Sequence, residues 1–212
     1  MCGRFTLIDP DQELAVQFNL PEIPDMQPRY NIAPTQPVAA VRAVPESEDR
    51  ELVLLHWGLI PFWAKDPKIG ARMINARSET VAEKPSFRTA FRRRRCLVVA
   101  DGFYEWQKLE RGKQPFYIRQ RDGRPFAFAG LWEHWQETGD ASSSRSPGQR
   151  RVIQSCTLLT TAPNELVRPV HNRMPVILHP SDYELWLDPG VQQPDLLQPL
   201  LRAYPPDELE AY

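Results

Sequence analysis

The sequence has no apolar run near the ~18 residues that a membrane-spanning helix requires. Residues 1–10 also lack the basic, apolar and small-residue regions of a secretory signal, so we expect a cytoplasmic protein that is not inserted in a membrane. Cysteine is scarce as well, because Cys2, Cys96 and Cys156 are the only ones, and their spacing fits no metal site. In a reducing compartment they should be free thiols, and we expect no disulfide, no metal and no other cofactor.

A surplus of positive charge is missing too. The formal net charge is −1, whereas nucleic-acid-binding domains are usually basic. The cations are nevertheless mostly arginine, whose planar guanidinium suits phosphate, and several of them adjoin aromatic residues. A local basic groove is therefore compatible with the neutral total. The run Arg92–Arg95 has two interpretations, a solvated face or a track for a phosphate backbone.

The length of the chain, its prolines and its apolar runs predict the fold. The 212 residues, 42% of them hydrophobic, fit one domain with a sizeable core, and 22 prolines exclude long helices from most of the chain. Apolar or alternating runs predict strands at 38–44, 52–57, 95–100, 116–119, 126–131 and 155–161. Helices are predicted at 11–18, at 78–91 with a bend or break at Pro85, and after the N-cap candidates Asn164 and Ser181. We therefore expect an α+β fold, mainly antiparallel, with a barrel-like core and peripheral short helices. The expected protein is a monomer formed by one domain over 1–212, with a mobile surface loop at 138–150.

Cys2 is the sharpest chemical feature of the sequence. If the initiator Met1 is removed, one residue carries both a free α-amine and a thiol. The α-amine has a pKa of about 8, well below that of lysine, so part of it is neutral and nucleophilic at physiological pH. The two groups could trap an aldehyde, first as a Schiff base and then as a thiazolidine, and the ring-opened sugar of an abasic site is such an aldehyde. A cysteine here is otherwise a small apolar residue at a frayed terminus, but the following Gly3-Arg4-Phe5 suggests an anchored one.

Other side chains could join that chemistry. Asn75 could orient a reacting group or simply form a turn. Glu105 stands among aromatic residues at the end of an apolar strand, where desolvation would suit it to general acid–base catalysis, unless it is merely a partly exposed strand residue. His171, in a loop bounded by two prolines, is the best catalytic candidate among the histidines. Phe62 and Trp63 belong to an aromatic turn and could stack on bases or pack in the core.

Six short blocks carry a resemblance to a known family. Their sequences are CGRF, RYNIAP, WGLIP, INARSET, DGFYEW and HNRMP, at residues 2–5, 29–34, 57–61, 74–80, 101–106 and 171–175. In this order they resemble the signature of the SRAP family, the SOS-response-associated peptidase-like proteins that cross-link to abasic sites in single-stranded DNA. The match extends from Met1 to about Leu187.

The resemblance implies a barrel-like core with a positively charged DNA channel. It also implies roles for individual residues, with Cys2 as the covalent nucleophile, Asn75 holding the deoxyribose-derived moiety, and Glu105 and His171 as proton carriers. Phosphate contacts are implied for Arg4, Arg77 and Arg173, disturbance of base stacking for Phe62 and Trp63, a backbone contact for Thr160, and further DNA contacts for Asn31, Pro34 and Trp106. The chemistry requires Cys2 to lie in a groove wide enough for one unpaired strand, beside Asn75, Glu105 and His171.

We therefore expect an abasic-site sensor that forms a thiazolidine cross-link through Cys2 during the DNA damage response. It would act on single strands or single-strand/duplex junctions, shield them from cleavage and polymerases, and associate with the nucleoid when bound. One alternative is an N-terminal-nucleophile cysteine peptidase that removes Met1 or cleaves external peptides, with lyase-like activity as a further option. Another is a non-covalent reader of single strands or junctions, whose binding would be salt-sensitive and indifferent to Cys2.

Two features depart from the family pattern. Relatives generally continue past the last helix with a segment rich in Val and Asn, whereas this chain ends at residues 208–212, so we expect the tail to be truncated or disordered. Phe62 precedes Trp63 where some relatives have two tryptophans, and this difference would weaken the disturbance of base stacking by the turn.

Overall fold

A computed structural model of the chain describes residues 2–8, 12–44, 47, 49–137 and 150–212. Met1 and all of the predicted mobile loop except Arg150 therefore lie outside the described residues. The strands are β1 Phe5–Leu7, β2 Arg29–Ile32, β3 Pro37–Ala43, β4 Arg50–Trp57, β5 Asn75–Arg77, β6 Arg95–Ala100, β7 Gly102–Lys108, β8 Lys113–Gln120, β9 Phe126–Gln136, β10 Val152–Thr161, β11 Met174–Pro175, β12 Ile177–Leu178 and β13 Leu209–Ala211. The α-helices are α1 Gln12–Phe18, α2 Arg88–Arg93, α3 Tyr183–Leu187 and α4 Pro194–Leu197, and short 3-10 helices cover Pro67–Arg72, Ser78–Thr80, Pro180–Asp182, Gln198–Leu200 and Pro206–Glu208.

Five strands close into a barrel. β4 pairs with β3, β3 with β6, β6 with β9 and β9 with β10, all antiparallel, and β10 returns to β4 in parallel. Every residue of β6 is buried, as expected for a strand whose two faces are both covered. β10 also pairs in parallel with the short β5, so the barrel carries the segment around Asn75 on its outer edge.

A second, antiparallel sheet has the order β13, β8, β7, β1, β2. It is fastened to the barrel by Phe5 of β1, whose ring centroid lies 5.1 Å from that of Trp57 and 5.6 Å from that of Phe128, both edge to face. Edge-to-face pairs of this kind add to the burial of the rings. The N-terminal segment is thereby packed on the core of the molecule.

The structure confirms the α+β class, the barrel core and all six predicted strands, which are β3, β4, β6, β8, β9 and β10. The segment predicted as a helix at 78–91 is broken around Pro85, as expected, with a 3-10 helix that ends at Thr80 and α2 that begins only at Arg88. Pro85 lies between them, has no amide hydrogen and disfavours helical geometry in the residue before it. After Asn164 the chain forms successive turns, although Asn164 Oδ1 does accept a hydrogen bond from the Val167 amide at 2.9 Å.

The arginine run does not form a continuous phosphate track. Arg95 is 4% exposed and donates to backbone carbonyl oxygens at the ends of α2 and α3. Arg94 pairs with Glu133, its Nη2 lying 2.7 Å from a carboxylate oxygen. Of the four arginines, only Arg92 and Arg93 are exposed. Arg95 is the first residue of the buried strand β6, so its side chain lies in the core.

Three smaller outcomes complete the comparison with the sequence. Cys2, Cys96 and Cys156 are free thiols, as predicted, and all three are buried. Residues Leu209–Ala211, where no strand was predicted, pair with β8 as β13. No helix in the described part of the chain has the length and apolar character to cross a membrane.

Candidate functional site

The first residues of the chain are held against β7. Phe5 pairs with Phe103, and the Tyr104 amide donates to the Arg4 carbonyl oxygen at 2.9 Å. This pairing directs Cys2 into the core, where it has no exposed surface and its thiol lies 3.8 Å from the Arg4 carbonyl oxygen. The terminus is anchored, as the sequence predicted, but the open groove expected at Cys2 is wrong for this state because the residue is buried.

Asn75 joins this terminus to the barrel. β5 pairs with β10 through Asn75 and Leu158, and Asn75 Nδ2 donates to the Cys2 carbonyl oxygen at 2.8 Å. The amide oxygen Oδ1 is buried and accepts no hydrogen bond from any described residue. Because an unsatisfied buried acceptor is unfavourable, Oδ1 is a ready acceptor for a molecule that enters beside Cys2.

The negative charge of Glu105, a residue of β7, influences the pKa of the Cys2 thiol. The carboxylate residue is only 2% exposed. Burial, and after it the negative charge of Glu105, raises the pKa of the Cys2 thiol far above its ordinary value. The sulfur is therefore protonated at neutral pH, and a base must take its proton before it can act as a nucleophile.

His171 follows the turns at 165–170. Its Nδ1 lies 3.0 Å from the Arg173 backbone nitrogen and 3.2 Å from the Arg173 carbonyl oxygen, so the backbone of Arg173 fixes the orientation of the ring. Gln107 of β7 donates to the Pro169 carbonyl oxygen at 3.0 Å. This bond ties the loop that carries His171 to the strand that carries Glu105.

Arg173 forms an ion pair at the edge of β5. Its Nη1 and Nη2 lie 2.5 and 2.9 Å from the two carboxylate oxygens of Glu79, and Nη2 also donates to the Thr160 carbonyl oxygen at 2.5 Å. Arg77 is opposite Thr160 in the pairing of β5 with β10. The hydrogen bond from Arg173, with a smaller contribution from the charge of Arg77, lowers the pKa of Glu79. Sequence reasoning assigned Glu79 no role, although it stands two residues after Arg77 in the INARSET block.

Four further predicted DNA contacts lie on or next to the N-terminal segment and the strands that pair with it. Arg4 Nη1 donates to Asn31 Oδ1 at 2.9 Å on the exposed surface. The partly exposed Trp106 has its ring centroid 6.4 Å from that of Tyr104, and Pro34 is partly buried. Asn31 and Trp106 lie on β2 and β7, the two strands that pair with β1, and Arg4 directly precedes β1.

Phe62 and Trp63 lie on a separate turn at residues 58–64. Their side chains are 56% and 50% exposed, so neither is a core residue. The turn is held from below by the Trp135 indole, which donates to the Ala64 carbonyl oxygen at 2.7 Å. Two aromatic rings on a supported turn can stack on unpaired bases.

A family model described as SOS response associated peptidase (SRAP) matches residues 1–212. The chain belongs to the SRAP family. One SRAP relative, the abasic site processing protein YoqW of Bacillus subtilis, is 43% identical over 216 aligned residues, covering 100% of this chain and 91% of YoqW. The abasic site processing protein HMCES of Xenopus tropicalis is 31% identical over 192 residues, covering 77% of this chain and 55% of HMCES.

The fold is also found in solved structures. A crystal structure of a protein from Bacteroides thetaiotaomicron matches with a TM-score of 0.84 at 24% identity, covering 100% of this chain and 91% of that protein. SRAP membership confirms the resemblance seen in the six sequence blocks. Among the described residues, no cluster of histidine, cysteine and carboxylate side chains could hold a metal ion.

Proposed function

We propose that this chain processes abasic sites in single-stranded DNA and captures them covalently through Cys2. The names of the relatives YoqW and HMCES support abasic-site processing. The observation that carries the covalent step is the convergence of two groups on Cys2, namely the Asn75 amide, 2.8 Å from its carbonyl oxygen, and the Glu105 charge that acts on its thiol. The Asn75 amide orients the terminal residue and the Glu105 carboxylate can transfer protons, and the reaction needs both functions.

The proposed reaction uses both nucleophiles of Cys2. Hydrolysis of the Met1–Cys2 peptide bond turns the Cys2 nitrogen into a primary amine. This nitrogen attacks the C1′ aldehyde of the ring-opened sugar, and the resulting carbinolamine loses one water to give an imine. The sulfur then bonds to the imine carbon while the thiol proton passes to the nitrogen, which closes the thiazolidine ring. The cross-link releases one water and consumes no oxidant or reductant.

The state of the thiol sets the order of these steps. Because burial and the Glu105 charge raise the pKa of the Cys2 thiol, the neutral amine is the better first nucleophile. Glu105 then takes the thiol proton as the sulfur attacks and passes it towards the nitrogen. His171, whose ring is oriented by the backbone of Arg173, serves as the second proton carrier, and the unsatisfied Asn75 Oδ1 accepts a hydrogen bond from the sugar.

Access to Cys2 depends on the amino terminus. Cys2 is buried in the chain that carries Met1, so the release of Met1 precedes entry of the sugar in this scheme. Gly3 has no Cβ and leaves the terminal residue free to turn towards the strand. An abasic sugar has no base to resist extrusion, which favours a lesion in a single strand or at a junction over one in a stacked duplex.

The DNA strand would cross the surface on both sides of Cys2. Arg4 lies on the β1 side, and Arg77 and Arg173 lie on the β5 side. We assign phosphate contacts to these three arginines, base stacking to Phe62 and Trp63, and additional strand contacts to Asn31, Pro34, Trp106 and Thr160. Because these three arginines lie on the two sides of Cys2, strand binding there is compatible with a formal net charge of −1 for the whole chain.

A denaturing gel tests the covalent step directly. The processed chain is mixed with a single-stranded oligonucleotide that contains one abasic site, and wild type should give a shifted band that Cys2→Ala does not. Cys96→Ala, which removes an equally buried thiol from the barrel, should keep the band. A missing band for wild-type protein whose mass shows that Met1 is gone, or an equal band for Cys2→Ala, contradicts the mechanism.

A second candidate activity is the removal of Met1 by the chain itself, as in an N-terminal-nucleophile peptidase. The action of Glu105 on the Cys2 thiol favours it, because the carboxylate could take the thiol proton during attack on the Met1–Cys2 bond. Intact masses would be compared for wild type and Glu105→Gln made in cells without methionine aminopeptidase activity. Met1 retained only in the variant supports self-processing, and the same mass pattern in both proteins contradicts it.

A further inference from the structure

Glu79 makes contacts that the reaction at Cys2 does not use. It belongs to the short 3-10 helix Ser78–Thr80 that follows β5, and its two carboxylate oxygens meet Nη1 and Nη2 of Arg173 at 2.5 and 2.9 Å. The Glu79 side chain is 51% exposed, whereas that of Arg173 is 16% exposed. The carboxylate is therefore the solvent-facing partner of a bidentate pair.

The pair lies beside the residue that holds Cys2. Asn75 bonds the Cys2 carbonyl oxygen, and Arg77, two residues later on β5, extends from the same face of the strand. Arg77 also acts on Glu79, because its charge adds to the larger effect of the Arg173 hydrogen bond on the Glu79 pKa. The Glu79 carboxylate is thus bonded to the Arg173 guanidinium and influenced by the charge of Arg77, which lies two residues along β5 from Asn75.

We propose that Glu79 occupies the position of a DNA backbone phosphate, and that a bound strand displaces it from Arg173. A carboxylate and a phosphate both present paired oxygens to the guanidinium fork. The inference rests on the proposed function and deepens it, since it names a residue that regulates strand binding at the same site. Glu79 acts through Arg173 and takes no part in bond formation.

The contacts of Arg173 decide which partner moves. Its Nη2 donates to the Thr160 carbonyl oxygen at 2.5 Å and lies 3.4 Å from the Thr160 hydroxyl oxygen, both on the buried end of β10. The guanidinium therefore stays in place when the carboxylate leaves. Glu79, on an exposed turn, swings away and Nη1 becomes available to the phosphate. In the unbound protein the carboxylate lowers the affinity of this position for anions in general.

Glu79→Gln tests the inference because it keeps the side-chain shape and removes the charge. Binding of a labelled, undamaged single-stranded oligonucleotide would be measured by fluorescence anisotropy. The variant should bind about 2- to 5-fold more tightly at low salt, the range expected for one partly exposed charge pair. In wild type the displaced carboxylate still offsets the positive charge that Arg173 presents to the phosphate. The plot of log affinity against log salt should therefore be steeper for the variant by about 0.7, the value for one full charge contact on a single strand, and its advantage should shrink about 2.6-fold between about 50 and 200 mM salt.

Glu83→Gln is the matched control. Glu83 is exposed, lies four positions further along the chain and forms no ion pair with any described residue, so this variant should leave both the affinity and the salt slope close to wild type. In an Arg173→Gln background, Glu79→Gln should lose its effect, because the two residues act as one unit. A simple stabilising role for Glu79 would not change the salt slope.

The outcomes separate this inference from the proposed function. Equal or weaker strand binding by Glu79→Gln, with a normal melting temperature, overturns it, and Glu79→Ala must change in the same direction as Glu79→Gln. The measurement uses no abasic site, so a failure of cross-linking alone leaves the result on Glu79 interpretable. Wild type that binds no single strand at all overturns both proposals.

Discussion

Asn75→Leu removes the one side-chain hydrogen bond that fixes the Cys2 carbonyl group. The bond from Nδ2 is 2.8 Å long and lies in a partly buried setting, and leucine keeps the approximate volume without a donor. A buried carbonyl oxygen left without its partner costs about 1–3 kcal/mol. If that loss falls on the geometry in which amine and aldehyde react, cross-linking slows by about 5- to 150-fold, since about 1.4 kcal/mol corresponds to a factor of ten.

The assay is a single-turnover time course with excess protein over an abasic single-stranded oligonucleotide. The fraction of DNA in the shifted band is followed on denaturing gels for wild type, Asn75→Leu and Asn75→Asp. The aspartate variant should be slowed as well, because a carboxylate would face the Cys2 carbonyl oxygen and lie near Glu105. Undamaged-strand binding by the same proteins separates weaker binding from a slower reaction.

Thermal unfolding measures the structural part of the same substitution. A loss of about 1–3 kcal/mol lowers the melting temperature of a chain of this size by about 2–4 °C per kcal/mol. Wild-type cross-linking kinetics in a correctly processed Asn75→Leu protein would refute the reasoning, because the Cys2–Asn75 bond would then have no influence on the reacting geometry.

Three other perturbations have defined outcomes. Gly102→Ala should cost about 1–3 kcal/mol of stability in thermal unfolding, because a Cβ there would lie 2.1 Å from the Tyr117 hydroxyl oxygen. Combining it with Tyr117→Ala should cost less than the sum of the two single losses, and additive losses would disprove the clash. Trp63→Ala should leave the melting temperature almost unchanged, since the ring is 50% exposed, but should weaken single-strand binding by about 1–3 kcal/mol, and unchanged anisotropy titrations would rule out stacking. Glu105→Gln should lower the pKa of the Cys2 thiol, because a negative charge that opposes the thiolate is removed; peptide mapping of thiol alkylation against pH would show faster modification of Cys2, and an unshifted profile would contradict the proximity of the two groups.

Local sequence patterns were sufficient for the larger elements. The six predicted strands were found because each is long enough to show a buried or alternating run, as in the fully buried β6. Strands of three residues such as β1 and β5 show no periodicity, and they were missed although β5 carries Asn75 and Arg77; the seven-residue β7, which carries Glu105, was missed as well. The interruption of the helix at 78–91 was also readable, because Pro85 was expected to bend or break it, but the extent of the gap between Thr80 and Arg88 was not.

For the candidate site, the sequence indicated the identity of the residues but not their spatial relations. Chemical identity was readable in the chain, since a cysteine after the initiator methionine, the INARSET and DGFYEW blocks and the HNRMP loop named the reacting groups and their family. Their relations were not readable, because Cys2 meets Asn75 across 73 positions and Arg173 meets Glu79 across 94. The burial of Cys2 and the pairing of Glu79 with Arg173 are consequences of strand register and barrel closure. Residue type decides which chemistry is available, and long-range packing decides which groups share one low-dielectric space and which charges reach each other.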